Sequence, residues 1–105
     1  MDKFTNVTVV KKANLYFDGK VSSRTLFLTD GSKVTLGLMQ RGTYEFGTNE
    51  KEVMEIMSGL AKVLLPGAEK WIECQEGNTF VVPANSTFQI VAETEVDYCC
   101  SYVAE

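Results

Sequence analysis

"EKEVMEIMSGLAKVLL", residues 50–65, can be read in two ways, and the fold class turns on the choice. Val53, Ile56, Met57, Leu60 and Leu64 recur at helical spacing, and the acidic first turn suits the positive end of a helix dipole. Gly59 after Ser58 offers a turn instead, with Met54, Ile56 and Ser58 alternating before it and Leu60, Lys62 and Leu64 after it. Spacing within the segment supports both readings.

The flanks are less divided. Turn signals recur at short intervals, "FDGK" at 17–20, "TDGS" at 29–32, "QRGT" at 40–43, "LPGAEK" at 65–70, "CQEGN" at 74–78 and "PANS" at 83–86. Between them lie runs rich in Val, Thr, Phe, Tyr and Leu with period-two alternation, as in Val34-Leu36-Leu38, Tyr44-Phe46-Thr48, Phe88-Ile90 and Tyr98-Cys100-Tyr102. The pattern predicts an all-β fold of roughly eight to ten short strands closed into a sandwich or barrel.

A chain of 105 residues has room for one shared core, and its 45% hydrophobic and 23% charged content is that of a folded domain. The net charge of −4 opposes a phosphate backbone, so nucleic acid is not an expected partner. The start "MDKFTNVTVVKK" lacks the apolar stretch of a secretory signal, and no run approaches the ~20 apolar residues that span a bilayer. No membrane partner and a cytoplasmic location are expected. The triplets Asn85-Ser86-Thr87 and Asn6-Val7-Thr8 are then chance glycosylation signals. Cys74, Cys99 and Cys100 lack metal-ligand spacing and read as reduced, buried thiols.

Two spacings resemble the paired motifs of the cupin barrels. In metal-binding cupins the second motif runs glycine, five residues, proline, one residue, glycine, two residues, histidine, three residues, asparagine. Gly77, Pro83, Asn85, Phe88 and Ala92 stand at those places in "GNTFVVPANSTFQIVA", so the frame is kept while the second glycine, the histidine and the asparagine are replaced. The first motif survives as Glu52, six residues, Gly59; the metal family's paired histidines would fall at Phe46 and Thr48, and Gly42 is out of register for its opening glycine. This resemblance implies strand-turn-strand over 50–65 and a single-domain, double-sheet jelly-roll barrel over 14–105, with 1–13 as an N-terminal extension that could add a strand. Imidazole is the ligand that such sites use for first-row metals, and the chain has no histidine, so no metal is expected.

"YFDGKV", "GTYEFGT", "EVMEIMSG", "VLLPGAEKW", "GNTFVVPANSTF" and "DYCCSY" together resemble the small histidine-free cupins called pyrimidine/purine nucleoside phosphorylases. The similarity runs from Asn14 to Val103. It implies a cytoplasmic homodimer, a glycosyltransferase of the pentosyl class, that splits purine and pyrimidine nucleosides with inorganic phosphate into base and ribose 1-phosphate. Phosphate is then a co-substrate, and no cofactor is implied.

Such chemistry asks for an anion site, partners for the ribose hydroxyls and a surface for the leaving base. For phosphate, "GKVSSRT" offers Lys20, Ser22, Ser23 and Arg24 beside a glycine turn, with Arg41 as competitor. Solvated strand edges carry the same residue types. For catalysis and ribose, Glu52 occupies the cupin carboxylate position without an ion to neutralise it, although the acidic run 50–55 also suits a surface. For the base, Tyr44, Phe46 and Thr48 share one strand face, Phe88 adds an aromatic wall, and Tyr98 and Tyr102, on one face of the last strand, are further candidates. Alternating aromatics are equally the ordinary contents of a core. The rival readings are a metal-free cupin that binds or senses a small ligand without chemistry, and a dimerisation domain whose interior is filled by side chains.

Overall fold

The computed structural model describes residues 2–104; Met1 and Glu105, the outer ends of the two predicted segments, lie outside the described residues. Eleven strands and no helix are present among the described residues: β1 (Thr8–Val9), β2 (Asn14–Tyr16), β3 (Val21–Phe27), β4 (Lys33–Met39), β5 (Gly42–Gly47), β6 (Lys51–Ser58), β7 (Leu60–Leu64), β8 (Ile72–Gln75), β9 (Thr79–Val82), β10 (Thr87–Ala92) and β11 (Val96–Val103). The count exceeds the expected eight to ten because two short strands, β1 and β2, both pair with β3.

Segment 50–65 is strand-turn-strand, as the resemblance implied. Gly59 makes the turn at φ +100°, a conformation that side chains disfavour, and a Cβ there would collide with the Glu95 carbonyl oxygen. The Leu60 amide is met by Thr94 Oγ1 at 3.0 Å, which fixes where β7 begins.

All strand pairings are antiparallel. A seven-stranded sheet runs β1-β3-β4-β11-β6-β9, with β2 beside β3, and a four-stranded sheet runs β5-β10-β7-β8. This is the double-sheet jelly-roll barrel expected from the two motifs, in one compact domain. Period-two alternation sends Val21, Met39, Met54, Ile56, Val63, Val82, Phe88, Ile90, Val96 and Tyr98 into one core between the sheets. Most of this core is apolar. Towards the Glu52 end the inward positions become polar, and a cavity opens there.

The 77–88 stretch is built around a structural turn. Asn85 adopts the left-handed conformation (φ 55°) that glycine supplies in the metal family, as its short polar side chain allows. Thr48 braces this turn. Its hydroxyl donates to the Pro83 carbonyl oxygen (2.7 Å) and accepts from the Ser86 amide (3.1 Å), while the Thr48 amide donates to the Ser86 carbonyl (2.8 Å).

Candidate active site

The cavity has a volume of about 250 Å³, near the lower end of the roughly 300–1,000 Å³ of small-molecule sites. A filled interior is thereby excluded for the described residues. Its walls come from both sheets: Ser23 on β3, Lys33 and Thr35 on β4, Phe46 on β5, Glu52 on β6, Phe88 on β10, and Tyr98, Cys100 and Tyr102 on β11. Tyr16 and Asn49 stand at the mouth. A larger hollow of about 560 Å³ lies on the outer face beneath the N-terminal segment, but its lining of Phe4, Val7, Leu26, Leu36 and Met57 is largely apolar.

Glu52 is half-buried and faces inward from the start of β6, directly across the ladder from Tyr102. Loss of hydration pushes its carboxyl above the ordinary range, against a thiol hydrogen bond from Cys100 (Sγ to Oε1, 3.6 Å) and the charge of Lys33, which both pull it down. Lys33 is the cation of the cavity. Its ammonium lies 4.2 Å from the centroid of the Tyr102 ring and 3.8 Å from Glu50 Oε1. Tyr102 in turn shares a hydrogen bond with Thr35 across 3.4 Å.

On the opposite wall Phe46 and Phe88 are stacked, with ring centroids 5.6 Å apart and an angle of 27° between planes. Phe17, held at φ 52° in the β2–β3 turn, sets its ring edge-on to Phe46 at 5.4 Å. Tyr98 lies flat over Gly37, its register partner on β4, and any side chain at Gly37 would strike the ring.

The structure sorts the sequence-predicted residues sharply. Glu52, Phe46, Phe88, Tyr102 and Ser23 meet in the cavity, as does Tyr98. The rest of the expected phosphate cluster is dispersed. Strand alternation turns Ser22 and Arg24 to the opposite face from Ser23, and Arg24 Nη1 donates to the Lys11 carbonyl at 2.6 Å. Lys20 is exposed in the turn before β3, and Arg41 borders a separate shallow hollow with Thr43 and Glu93. Tyr44 and Thr48, expected on the base-binding wall, are spent on structure. The Tyr44 hydroxyl donates to the Gln40 carbonyl at 2.7 Å, and Thr48 braces the 83–86 turn.

Lys33, Thr35, Asn49, Glu50 and Cys100 were not among the sequence candidates. One signal for them exists on β4, whose two faces read Lys33-Thr35-Gly37-Met39 and Val34-Leu36-Leu38. The more polar face lines the cavity, while Leu36 and Leu38 lie more than 40% exposed outside.

The hollow is aromatic-walled, carries a carboxylate at the place of the cupin glutamate, and lies in a double-sheet barrel of cupin-like fold whose sequence has no histidine. The chain matches the family described as pyrimidine/purine nucleoside phosphorylase over residues 11–102. A protein of that name from Hydrogenovibrio crunogenus is 58% identical over 103 residues, covering 98% of this chain and 99% of the relative. Another from Clostridioides difficile is 51% identical over the full length of both. A solved protein of unknown function from Acinetobacter sp. ADP1 superposes with a TM-score of 0.93 at 37% identity, covering 96% of this chain and 98% of that one. A cupin superfamily protein from Desulfitobacterium hafniense superposes with a TM-score of 0.68 at 16% identity over 90% of this chain and 84% of that one, a likeness of fold alone. The chain belongs to the pyrimidine/purine nucleoside phosphorylase family.

Proposed function

We propose that the cavity holds a nucleoside beside inorganic phosphate and that the protein catalyses its phosphorolysis to free base and ribose 1-phosphate, a pentosyl transfer needing no cofactor. The observation that carries this reading is the meeting of one ammonium, one half-buried carboxylate and a stacked aromatic pair in a single cavity. Family membership points the same way.

In the reaction a phosphate oxygen forms a bond to the anomeric carbon while the bond to the base nitrogen breaks. The base leaves with the electron pair and takes up a proton. Because phosphate brings its own nucleophilic oxygen, the protein needs to position and stabilise charge and needs no activated side chain. Lys33, with the Ser23 hydroxyl, holds the anion in place of the dispersed Lys20, Ser22, Arg24 and Arg41. Glu52 accepts hydrogen bonds from the ribose hydroxyls and stabilises the positive charge that develops on the sugar. Phe46 and Phe88 take the flat face of the base, which any purine or pyrimidine offers.

The larger sheet's exposed outer face suggests the assembly. Leu36, Leu38, Val81 and Val103 all leave it uncovered, which favours a homodimer formed by pairing these faces. All three cysteines are buried and unpaired, which suits a reducing, cytoplasmic compartment.

Purified protein mixed with uridine or adenosine is expected to release base only when phosphate is added. Glu52→Gln should lower kcat about 100-fold or more, and Lys33→Gln should raise the KM for phosphate about tenfold. Base release that ignores phosphate would make the protein a hydrolase, and nucleoside binding without turnover would leave a ligand-binding cupin; either overturns the reading.

A further inference from the structure

Cys100 has no part in the chemistry just derived, yet it is only 2% exposed and lines the cavity floor. Its strand, β11, lies between β4 and β6, and the ladders place Cys100 opposite Thr35 on one side and Tyr102 opposite Glu52 on the other. Four inward side chains from three adjacent strands therefore stand side by side. Thr35 and Tyr102 share a hydrogen bond of 3.4 Å, and Cys100 Sγ lies 3.6 Å from Glu52 Oε1.

An ionised carboxylate only accepts, so the thiol proton points at Glu52. We propose that Cys100 is a positioning residue whose thiol, donating to Glu52 from the neighbouring strand, holds the carboxylate where the substrate sugar must bind.

This inference rests on the reading of Glu52 as the ribose-binding carboxylate. Burial pushes the Cys100 thiol up to about 12, so it stays protonated and serves as a neutral donor, not as a nucleophile. The other groups around Glu52 are Lys33 from β4, which favours its charge, and Glu50, which opposes it. Tyr98 and Tyr102 on β11 stay neutral because burial raises both phenols, and Phe46 and Phe88 on the facing sheet carry no charge. With Lys33 and Glu50 unchanged, the effect of Cys100 can be isolated.

Two measurements test the thiol–carboxylate bond. The S–H stretching band of Cys100, assigned by its disappearance in Cys100→Ala, should lie at lower frequency in the wild-type protein than in Glu52→Gln, and should move as Glu52 is titrated. In the pH profile of kcat/KM, Cys100→Ala should move the acid limb to higher pH, because the lost thiol bond had favoured the carboxylate. It should also lower kcat/KM at pH 7 about tenfold. Cys100→Ser, which keeps a donor and an acceptor, should bring limb and rate back towards the wild type.

A residue that merely fills space would give a different picture: a band indifferent to Glu52→Gln and an acid limb unmoved in Cys100→Ala. Either result overturns the proposal. Should the protein release no base at all, the infrared band still decides for or against the thiol–carboxylate bond, and the nucleoside reading falls by itself.

Discussion

Burial pushes the Glu52 carboxyl above its ordinary value of 4.5, and that shift has a sign for stability as well as for activity. A carboxyl that binds its proton more tightly folded than unfolded stabilises the protein below the unfolded value, and this contribution is lost as pH rises through the folded value. Glu52→Gln has no charge to bury. Chemical denaturation should therefore find it more stable than the wild type at pH 7, with the advantage shrinking as pH falls towards 4.5. Equal stability at both pH values would mean that Glu52 is hydrated in the folded protein. Glu52 was legible in the sequence because it keeps its distance from Gly59, whereas Lys33 was not. The more polar face of β4 is the one local mark of Lys33, and the β4–β11 and β6–β11 ladders, which no local pattern reveals, bring it to the carboxylate. Thr48 shows the opposite error: alternation placed it on the wall with Phe46, but β5 ends at Gly47 and its hydroxyl is claimed by the 83–86 turn. Replacing Thr48 with Val strands the Ser86 amide and should cost about 2 kcal/mol in denaturant unfolding, with little change in nucleoside binding.

Segment 50–65 shows how far an element can be read from its own residues. Helical spacing and strand alternation coincide there because Val53, Ile56, Leu60 and Leu64 satisfy one period while Met54, Ile56, Ser58 and then Leu60, Lys62, Leu64 satisfy the other, although on β7 the buried positions are Ala61 and Val63. The balance is tipped outside the segment, by β11 and β9 on either side of β6 and by β10 and β8 on either side of β7. Gly59 is the local residue that permits this outcome. Gly59→Ala would put a methyl group against the Glu95 carbonyl at a φ that L residues resist, and should destabilise the fold by about 2 kcal/mol or more. A thermal midpoint equal to the wild type would show that the turn relaxes. The same logic explains the scattered phosphate cluster: "SSR" is contiguous in sequence, but a strand sends Ser23 to one face and Ser22 and Arg24 to the other.

The whole barrel is inverted in part. On β4 the polar positions face the cavity and two leucines face outward, the reverse of a sheet with a dry interior and a solvated back. Sequence alternation reveals the strand without saying which face is inside, which is why fold class was legible and the polar half of the cavity was not. A double substitution, Leu36→Glu with Leu38→Glu, places like charges on the outer face and should convert the proposed dimer to monomer in light scattering, as like-charge repulsion between paired faces requires. A variant that keeps the wild-type mass would remove this face from the assembly.

The Lys33 ammonium leans on a tyrosine ring and touches the Glu50 carboxylate at 3.8 Å, and both members of that pair remain substantially exposed. Such a contact in water is worth little. It is cheap to part, so under the proposed phosphorolysis Glu50 is a placeholder that the arriving phosphate displaces. The ammonium is then never without a counter-charge, and phosphate uptake should slow as added salt competes for it.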